Sequence, residues 1–289
     1  MKRFYFSLLV LLPVFFLSCQ KEVSLETGSL PGDSSNSATN TCDLAKMVEA
    51  DSATGKGEYA YISSFNSNHK VVNFELVDSS SNAIDGSFAL TYPTGRIQLD
   101  PEQYFLIGTD GKITEFHGYE YPGYKQGEKF VVKYTYNTAG QLTLRTETYD
   151  SLPGKVLYQM KFTYSGGNLT KETIEGLDVG GFVKLAELTY TYDASKTVKN
   201  FIYIYGLAPE ISTFQAAINA GVNNANPVSR IVSMYYDPSS GATQSVTTNL
   251  GNYVIDPKGY VQSFTVSGAD FALAGLLSRK RYKLSYNCY

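Results

Sequence analysis

Residues 130–149 read FVVKYTYNTAGQLTLRTETY, residues 157–174 LYQMKFTYSGGNLTKETI, and residues 185–205 LAELTYTYDASKTVKNFIYIY. All three carry one pattern: a run of alternating aromatic and polar residues, a short turn, and a second run. The tyrosine ahead of each turn, Tyr136, Tyr164 and Tyr192, recurs every 28 residues, a period too regular for unrelated loops. Side chains alternate between the two faces of a strand. Phe130, Val132, Tyr134 and Tyr136 therefore share one face, and Val131, Lys133 and Thr135 the other. The second copy sets Tyr158, Met160, Phe162 and Tyr164 against Gln159, Lys161 and Thr163; the third sets Leu188, Tyr190 and Tyr192 against Glu187, Thr189 and Thr191. An aromatic side facing a core and a Thr/Lys/Glu side facing water describe an antiparallel sheet solvated on one face. Each copy reads as a β-hairpin, with return strands starting at Leu142, Leu169 and Val198.

Working outward, the same alternation runs from Glu58 nearly to the end. Tyr59 to Phe65, Val71 to Val77 and Ser87 to Tyr92 are short aromatic and β-branched runs between clusters of Ser, Asn, Asp and Gly. Gln103 to Ile107 and Lys112 to Tyr119 flank Asp110-Gly111, a hairpin signal. Further hairpins fall at 228–250 and 253–266, and the last strand, 281–286, echoes KYTY. Residues 206–226 break the pattern. Pro209 suits a first helical position, Gly221 a C-terminal cap, and Ile211, Phe214 and Ile218 line one helical face. The expected fold is all-β: a many-stranded antiparallel up-and-down meander, curled or barrel-like, with one helix inserted near 208–220 that plugs or caps an open end.

With 43% hydrophobic and 18% charged residues in 289, the chain is globular, and one large β domain from residue 42 to 289 accommodates it. A net charge of −3 and a pI near 5.5 leave no electrostatic footprint for nucleic acid. At the N-terminus, Lys2-Arg3 precedes an apolar run from Phe4 to Phe16 that is too short to span a bilayer. Residues 1–18 therefore read as a signal peptide. The run ends in Leu17-Ser18-Cys19, which resembles the lipobox of bacterial lipoproteins and implies cleavage before Cys19 and acylation of that residue. Each buried methylene of the acyl chains adds about 0.8 kcal/mol of membrane affinity, so several chains anchor stably. The following Gln20-Lys21-Glu22 resembles the lysine-plus-acid export tag of surface lipoproteins in Bacteroidota, with Val23 and Ser24 interrupting its acidic run. Residues 19–41 then form a Ser, Gly, Asn and Thr rich tether without periodicity.

With Cys19 acylated, Cys42 and Cys288 remain at the two ends of the domain. In an oxidising envelope such a pair normally forms a disulfide, which requires Cα atoms within about 7 Å. Two free thiols, or a metal or catalytic role, are the alternatives; a redox motif needs neighbouring thiols that the sequence lacks.

Tyr-x-Tyr-Asn-x-x-Gly-Gln-Leu at 134–142 resembles the tyrosine-aspartate repeats of Rhs-type surface and toxin-shell proteins. Only Tyr192-Asp193 carries the literal dipeptide, and the copies are too few for a large shell. From about 103 to 205 the chain is more similar to Bacteroidota lipoproteins of unknown function with a porin-like, many-stranded β-meander. That resemblance implies fold and address, not activity.

No motif names a chemistry. His69 and His117 have no cysteine or carboxylate at ligand spacing, and a carboxylate pair such as Glu115 with Glu120 has no active-site motif around it. No catalytic, metal or cofactor residues are assigned. The candidate ligand contacts are Tyr134, Tyr136, Tyr164, Tyr190, Tyr192 and Phe214, which serve equally as core packing. The sequence points to a non-enzymatic outer-membrane lipoprotein, exposed at the cell surface, monomeric, and acting in surface binding or envelope assembly. Its partners are the membrane, through the lipid anchor, and an envelope protein, a glycan or a hydrophobic ligand. Two other readings stand beside it: a carrier holding a hydrophobic or glycan ligand inside a curled sheet, and a hydrolase acting on envelope or glycan substrates.

Overall fold

A computed structural model describes residues 42–119, 127–199, 201–214, 216–271 and 276–289. The expected signal peptide, Cys19 and the expected tether lie outside these residues, as does Glu120. The strands are β1 (Cys42–Asp51), β2 (Gly57–Phe65), β3 (Val71–Asp78), β4 (Ile84–Ala89), β5 (Arg96–Gln98), β6 (Tyr104–Ile107), β7 (Ile113–Tyr119) and β8 (Lys129–Tyr136). They continue as β9 (Leu142–Tyr149), β10 (Val156–Ser165), β11 (Asn168–Asp178), β12 (Gly181–Tyr192), β13 (Val228–Tyr236), β14 (Thr243–Ile255), β15 (Val261–Gly268) and β16 (Lys280–Cys288). One helix, α1 (Pro209–Phe214), lies between β12 and β13.

All sixteen strands join one antiparallel sheet in the order β4-β3-β2-β1-β16-β15, then down in sequence to β5. Every neighbour is a sequence neighbour except β1 and β16. The sheet edges are β4 and β5, consecutive in the chain, so the sheet curls round until they almost meet. No continuous ladder closes it: a single bridge, Thr91 with Gln98, joins the edges through two N–H···O bonds of 2.9 Å.

The first and last strands pair with Cys42 opposite Cys288, and the two form a disulfide with Cα atoms 3.9 Å apart. The cross-link spans 246 residues, and in the chain-entropy picture a loop of that size removes about 5 kcal/mol of denatured-state freedom. It locks the one ladder whose partners are far apart in sequence.

The turns that lead from even to odd strands share one end of the sheet with both termini. Four of them have the same build. At Asn137 the backbone N–H donates to Gln141 O (3.0 Å), Gly140 N–H donates to Asn137 O (2.9 Å), and Asn137 Oδ1 accepts from Gln141 N–H (2.9 Å). Asn66 and Asp256 repeat this with Lys70 and Tyr260, and Gly108 repeats its backbone part with Lys112. The fourth residue has positive φ in all four: His69 (58°), Gly111 (78°), Gly140 (77°) and Gly259 (95°). That is the left-handed position of a three-residue hairpin loop, where glycine fits without strain.

A tyrosine clasp accompanies these turns. Tyr92, Tyr136, Tyr192, Tyr253 and Tyr286 donate their hydroxyls to the carbonyls of Val71, Ile113, Leu169, Val228 and Val261, at 2.6–2.9 Å. Each acceptor lies at the start of a strand and is buried; four of the tyrosines sit on the next strand, and Tyr92 lies just past the end of β4. The triplicated sentence of the sequence is thus part of a sheet-wide unit. Tyr164 departs from it: its hydroxyl meets that of Tyr205 instead (3.3 Å).

The third copy ends differently from its reading. Residues from Val198 onward form no return strand; the partner of β12 is β13, with Tyr192 opposite Val228. Between them the chain leaves the wall, because Phe201, Ile202, Tyr203, Ile204 and Tyr205 all become buried and cannot sit on a one-side-solvated sheet. The helix is also shorter than expected, ending at Phe214.

Replacing Cys42 with Ser is expected to lower stability by about 2–4 kcal/mol under oxidising conditions. Thermal melts of wild type and variant should coincide once reductant is added; a gap that persists in reductant would assign the loss to something other than the cross-link.

Candidate functional site

The interior of the curled sheet is the place where the chain concentrates polar chemistry, and the segment 198–222 fills it. Phe214 shows how. Its ring lies 5.9 Å from Phe74 of β3, 5.8 Å from Phe88 of β4 and 5.7 Å from Phe105 of β6, edge-on in each case. One side chain therefore touches, from inside, the edge strand β4, its neighbour β3, and β6, which lies next to the other edge strand β5. Farther along, Phe201 packs on Tyr253 and Phe264 (5.8 and 5.5 Å), and Tyr205 on Phe162 (5.0 Å). Ala208, Ile211, Ile218 and Ala220 are buried as well.

Backbone and loop contacts pin the segment at the turn end. Ile113 N–H donates to Asn219 O (2.9 Å), Val222 N–H to Gly140 O (3.0 Å) and Tyr203 Oη to Gly221 O (2.6 Å). Gly221 has φ 99°, and a Cβ there would lie 2.5 Å from the Gly140 carbonyl, so no side chain fits. The asparagine loop after it is a set of brackets. Asn224 Oδ1 accepts from Leu169 N–H (2.7 Å) and Tyr192 Oη (3.1 Å). Asn226 exchanges bonds with Asn168 (2.9 and 3.0 Å).

At the centre stands a charged cluster. Arg145 of β9 is 2% exposed; its Nε and Nη2 reach the two oxygens of Glu210 on α1 at 2.7 and 3.2 Å. Nη1 lies 2.9 Å from Glu147 Oε2, an ion pair not aligned as a hydrogen bond. Tyr134 donates to Glu210 Oε1 (2.9 Å). Burial works against the guanidinium's charge, yet Glu210 and Glu147 outweigh it and hold Arg145 above its ordinary range. Nearby, Glu172 of β11 accepts at Oε2 from Tyr190 Oη and from the backbone N–H of Gly206, both 2.9 Å. Burial pushes the Glu172 carboxyl up to about 8, against the opposing pull of Gly206, Tyr190 and Arg145.

The candidate contacts from the sequence converge on this interior. Tyr134 and Tyr190 bind the two acids; Tyr136 and Tyr192 clasp strand starts; Tyr164 meets Tyr205; Phe214 fills the seam. All six touch the wall or the chain's own segment. Sequence reasoning missed Arg145, Glu172 and Glu210. The signal was present for the first two: counted by alternation, Arg145 falls opposite Tyr134 and Glu172 opposite Phe162, charged residues at inward positions.

The outer wall is different. Lys161 pairs with Glu175 (2.7 Å), Lys171 and Lys184 with Glu187 (2.8 Å each) and Lys133 with Glu115 (3.2 Å). His117 stacks on Tyr104 with centroids 4.4 Å apart, and His69 on Tyr289 at 3.5 Å. An open cleft of about 230 Å³ beside His117 is lined by Glu102, Tyr104, Lys129, Phe130 and Asp150. Lys129 and Glu102 already pair there (2.8 Å).

No family model and no curated protein matches the chain. Among solved structures, a porin-like protein from Bacteroides uniformis aligns over 84% of this chain and 98% of its own, at 13% identity and a TM-score of 0.53. A porin-like protein from Bacteroides vulgatus gives the same coverage and TM-score at 15% identity. At these identities the likeness is one of fold: a porin-like β-meander.

Phe214→Ala should cost about 3–5 kcal/mol, since its cavity would lie among the rings of β3, β4 and β6. Arg145→Met should cost about 3–5 kcal/mol by leaving Glu210 buried without its cation, and adding Glu210→Gln should recover much of that loss. Urea unfolding of the single and double variants checks both; additive losses for Arg145 and Glu210 would mean the two do not act as a pair.

Proposed function

We propose that the protein is a non-enzymatic component of the bacterial outer membrane, held there by acyl chains on Cys19 and working in surface binding or envelope assembly. The observation that carries this reading is the polarity of the wall. A barrel that spans a membrane turns an apolar band outward and keeps polar residues inside. Here Lys133, Lys161, Lys171, Glu175 and Glu187 face outward in ion pairs, while Phe105, Phe116, Val132, Phe162 and Leu188 are buried inside. A charged wall of this kind belongs in water, so attachment falls to the N-terminal lipid.

The interior argues against a carrier, because the residues that would line a ligand chamber are covered by segment 198–222. It argues equally against a hydrolase, since Glu210 is tied to Arg145 and Glu172 lies fully buried beneath Gly206. Binding is better served by the end opposite the termini. Six of the eight large exposed hydrophobics among the described residues lie toward that rim: Tyr59, Ile84, Leu152, Val179, Phe182 and Met234. The β11–β12 hairpin carries Val179 at its tip, beyond the last paired residues of β10 and β13. An envelope protein or glycan is the partner this reading implies.

The chain from residue 20 onward should purify as a monomer without detergent, measured by light scattering after size exclusion. Cys19→Ala in the full precursor should abolish labelled palmitate incorporation and release the protein from the outer-membrane fraction. Extraction only in detergent, or continued labelling, would overturn the reading.

A further inference from the structure

Glu172 is fully buried, and only one of its carboxyl oxygens is satisfied. Oε2 accepts from Tyr190 and Gly206, whereas Oε1 has no partner. The cover over this carboxyl is the backbone of Gly206. A Cβ built on Gly206 would lie 2.9 Å from Leu188 Cδ2 and 3.4 and 3.6 Å from the two carboxyl oxygens. Glycine is thus what lets the interior segment lie flat on the acid.

The titratable and charged groups facing Glu172 come from every side. They are Tyr190 on β12, Tyr164 on β10, Tyr205 on the segment and Arg145 on β9. Arg145 is already engaged by Glu210 and Glu147. One guanidinium therefore serves three carboxyl groups, and the third has no cation of its own. An ionised carboxylate in that position is a buried charge with an orphaned oxygen, far more costly than the neutral acid. Solvating Oε1 means lifting Gly206.

We propose that Glu172 is a proton-controlled latch on the interior segment: protonated, it keeps residues 203–210 seated against the wall, and ionised, it drives that corner away so that water reaches the carboxylate while the sheet stays folded. The latch is independent of whether the chain is lipid-anchored. Its working range follows from the carboxyl's shift from an ordinary 4.5 to about 8 in the folded chain. A carboxyl raised on folding contributes stability that is fully present below about pH 4.5 and is lost as pH climbs through about 8. The segment should therefore loosen progressively as pH rises through neutrality and stop loosening near pH 8.

Hydrogen exchange of the full mature chain at pH 6 to 9, corrected for the base-catalysed intrinsic rate, reads this directly. Peptides covering 201–214 should open about tenfold more per pH unit up to about pH 8, the slope of one proton, and level off above it. Peptides from β8 and β9 should not change. In Glu172→Gln the slope should vanish. Tyr190→Phe removes a hydrogen bond that stabilises the covered carboxylate, so it should move the levelling-off to higher pH, and this shift decides the matter if the Gln variant does not fold. A segment that opens only together with the whole sheet, a slope retained in Glu172→Gln, or a levelling-off point unmoved or lowered in Tyr190→Phe would sink the proposal.

Discussion

A wall that turns its large side chains inward has to be filled. Eight strands make a barrel just wide enough for side chains alone to occupy; sixteen strands curled into one sheet enclose more than their inward residues can fill. The chain meets this constraint with its own segment between β12 and β13. Fully burying a Leu, Ile or Phe contributes about 1.5–3 kcal/mol, and Phe201, Ile202, Ile204, Ile211, Phe214 and Ile218 are all buried there. The filling also shapes the wall. The two sheet edges share one backbone bridge, and inside it Phe214 links the edge strand β4 to β6, the strand next to the other edge, through Phe88 and Phe105.

The wall itself is assembled from local decisions. Fifteen ladders join sixteen strands, and all but β1·β16 link strands adjacent in sequence. Apart from the 35-residue connection between β12 and β13, loop closure between these neighbours is short and entropically cheap. The turn with a left-handed fourth residue fixes the register of a hairpin, and the tyrosine clasp ties its end to the strand before it. A clasp hydrogen bond contributes about 1 kcal/mol, but it also satisfies a buried carbonyl at a strand start. The long-range ladder is the exception, and there the chain uses a covalent bond.

The wall was legible in the sequence because its period is 2 and its turns announce themselves. FVVKYTY and LYQMKFTY put their aromatics on the buried face, and Cys42 and Cys288 pair as their positions at the two chain ends suggested. The filling was not legible. KNFIYIY has the composition of a strand, and its aromatic and β-branched content favours one locally; what excludes it is that every residue from 201 to 205 is buried, which alternation cannot reveal. The helix read too long for a similar reason. Ile218 keeps helical spacing from Phe214 and its N–H donates to Phe214 O (3.1 Å), but residues 216–217 form a turn beyond the helix. The central cluster was hidden by distance: Arg145 and Glu210 are 65 residues apart, and nothing local joins them.

An aromatic filling alone would leave the segment's position weakly specified, because rings pack acceptably in several registers. The charged cluster removes that freedom. Arg145 offers a planar fork, and only Glu210 at the start of α1 meets it with two oxygens while also accepting from Tyr134. Sliding α1 by one residue along the wall would break all three bonds and leave ions buried without partners, a cost far above that of re-packing a phenylalanine. Hydrophobic contact thus supplies most of the attraction that seats the segment, and the ion pair selects one seat among those that contact would allow. Glu172 does not belong to that selection, since its single satisfied oxygen would tolerate small shifts of Gly206. A carboxyl that holds the segment by one oxygen and leaves the other without a partner is poised to respond to protonation, and it lies where the backbone of Gly206 covers it.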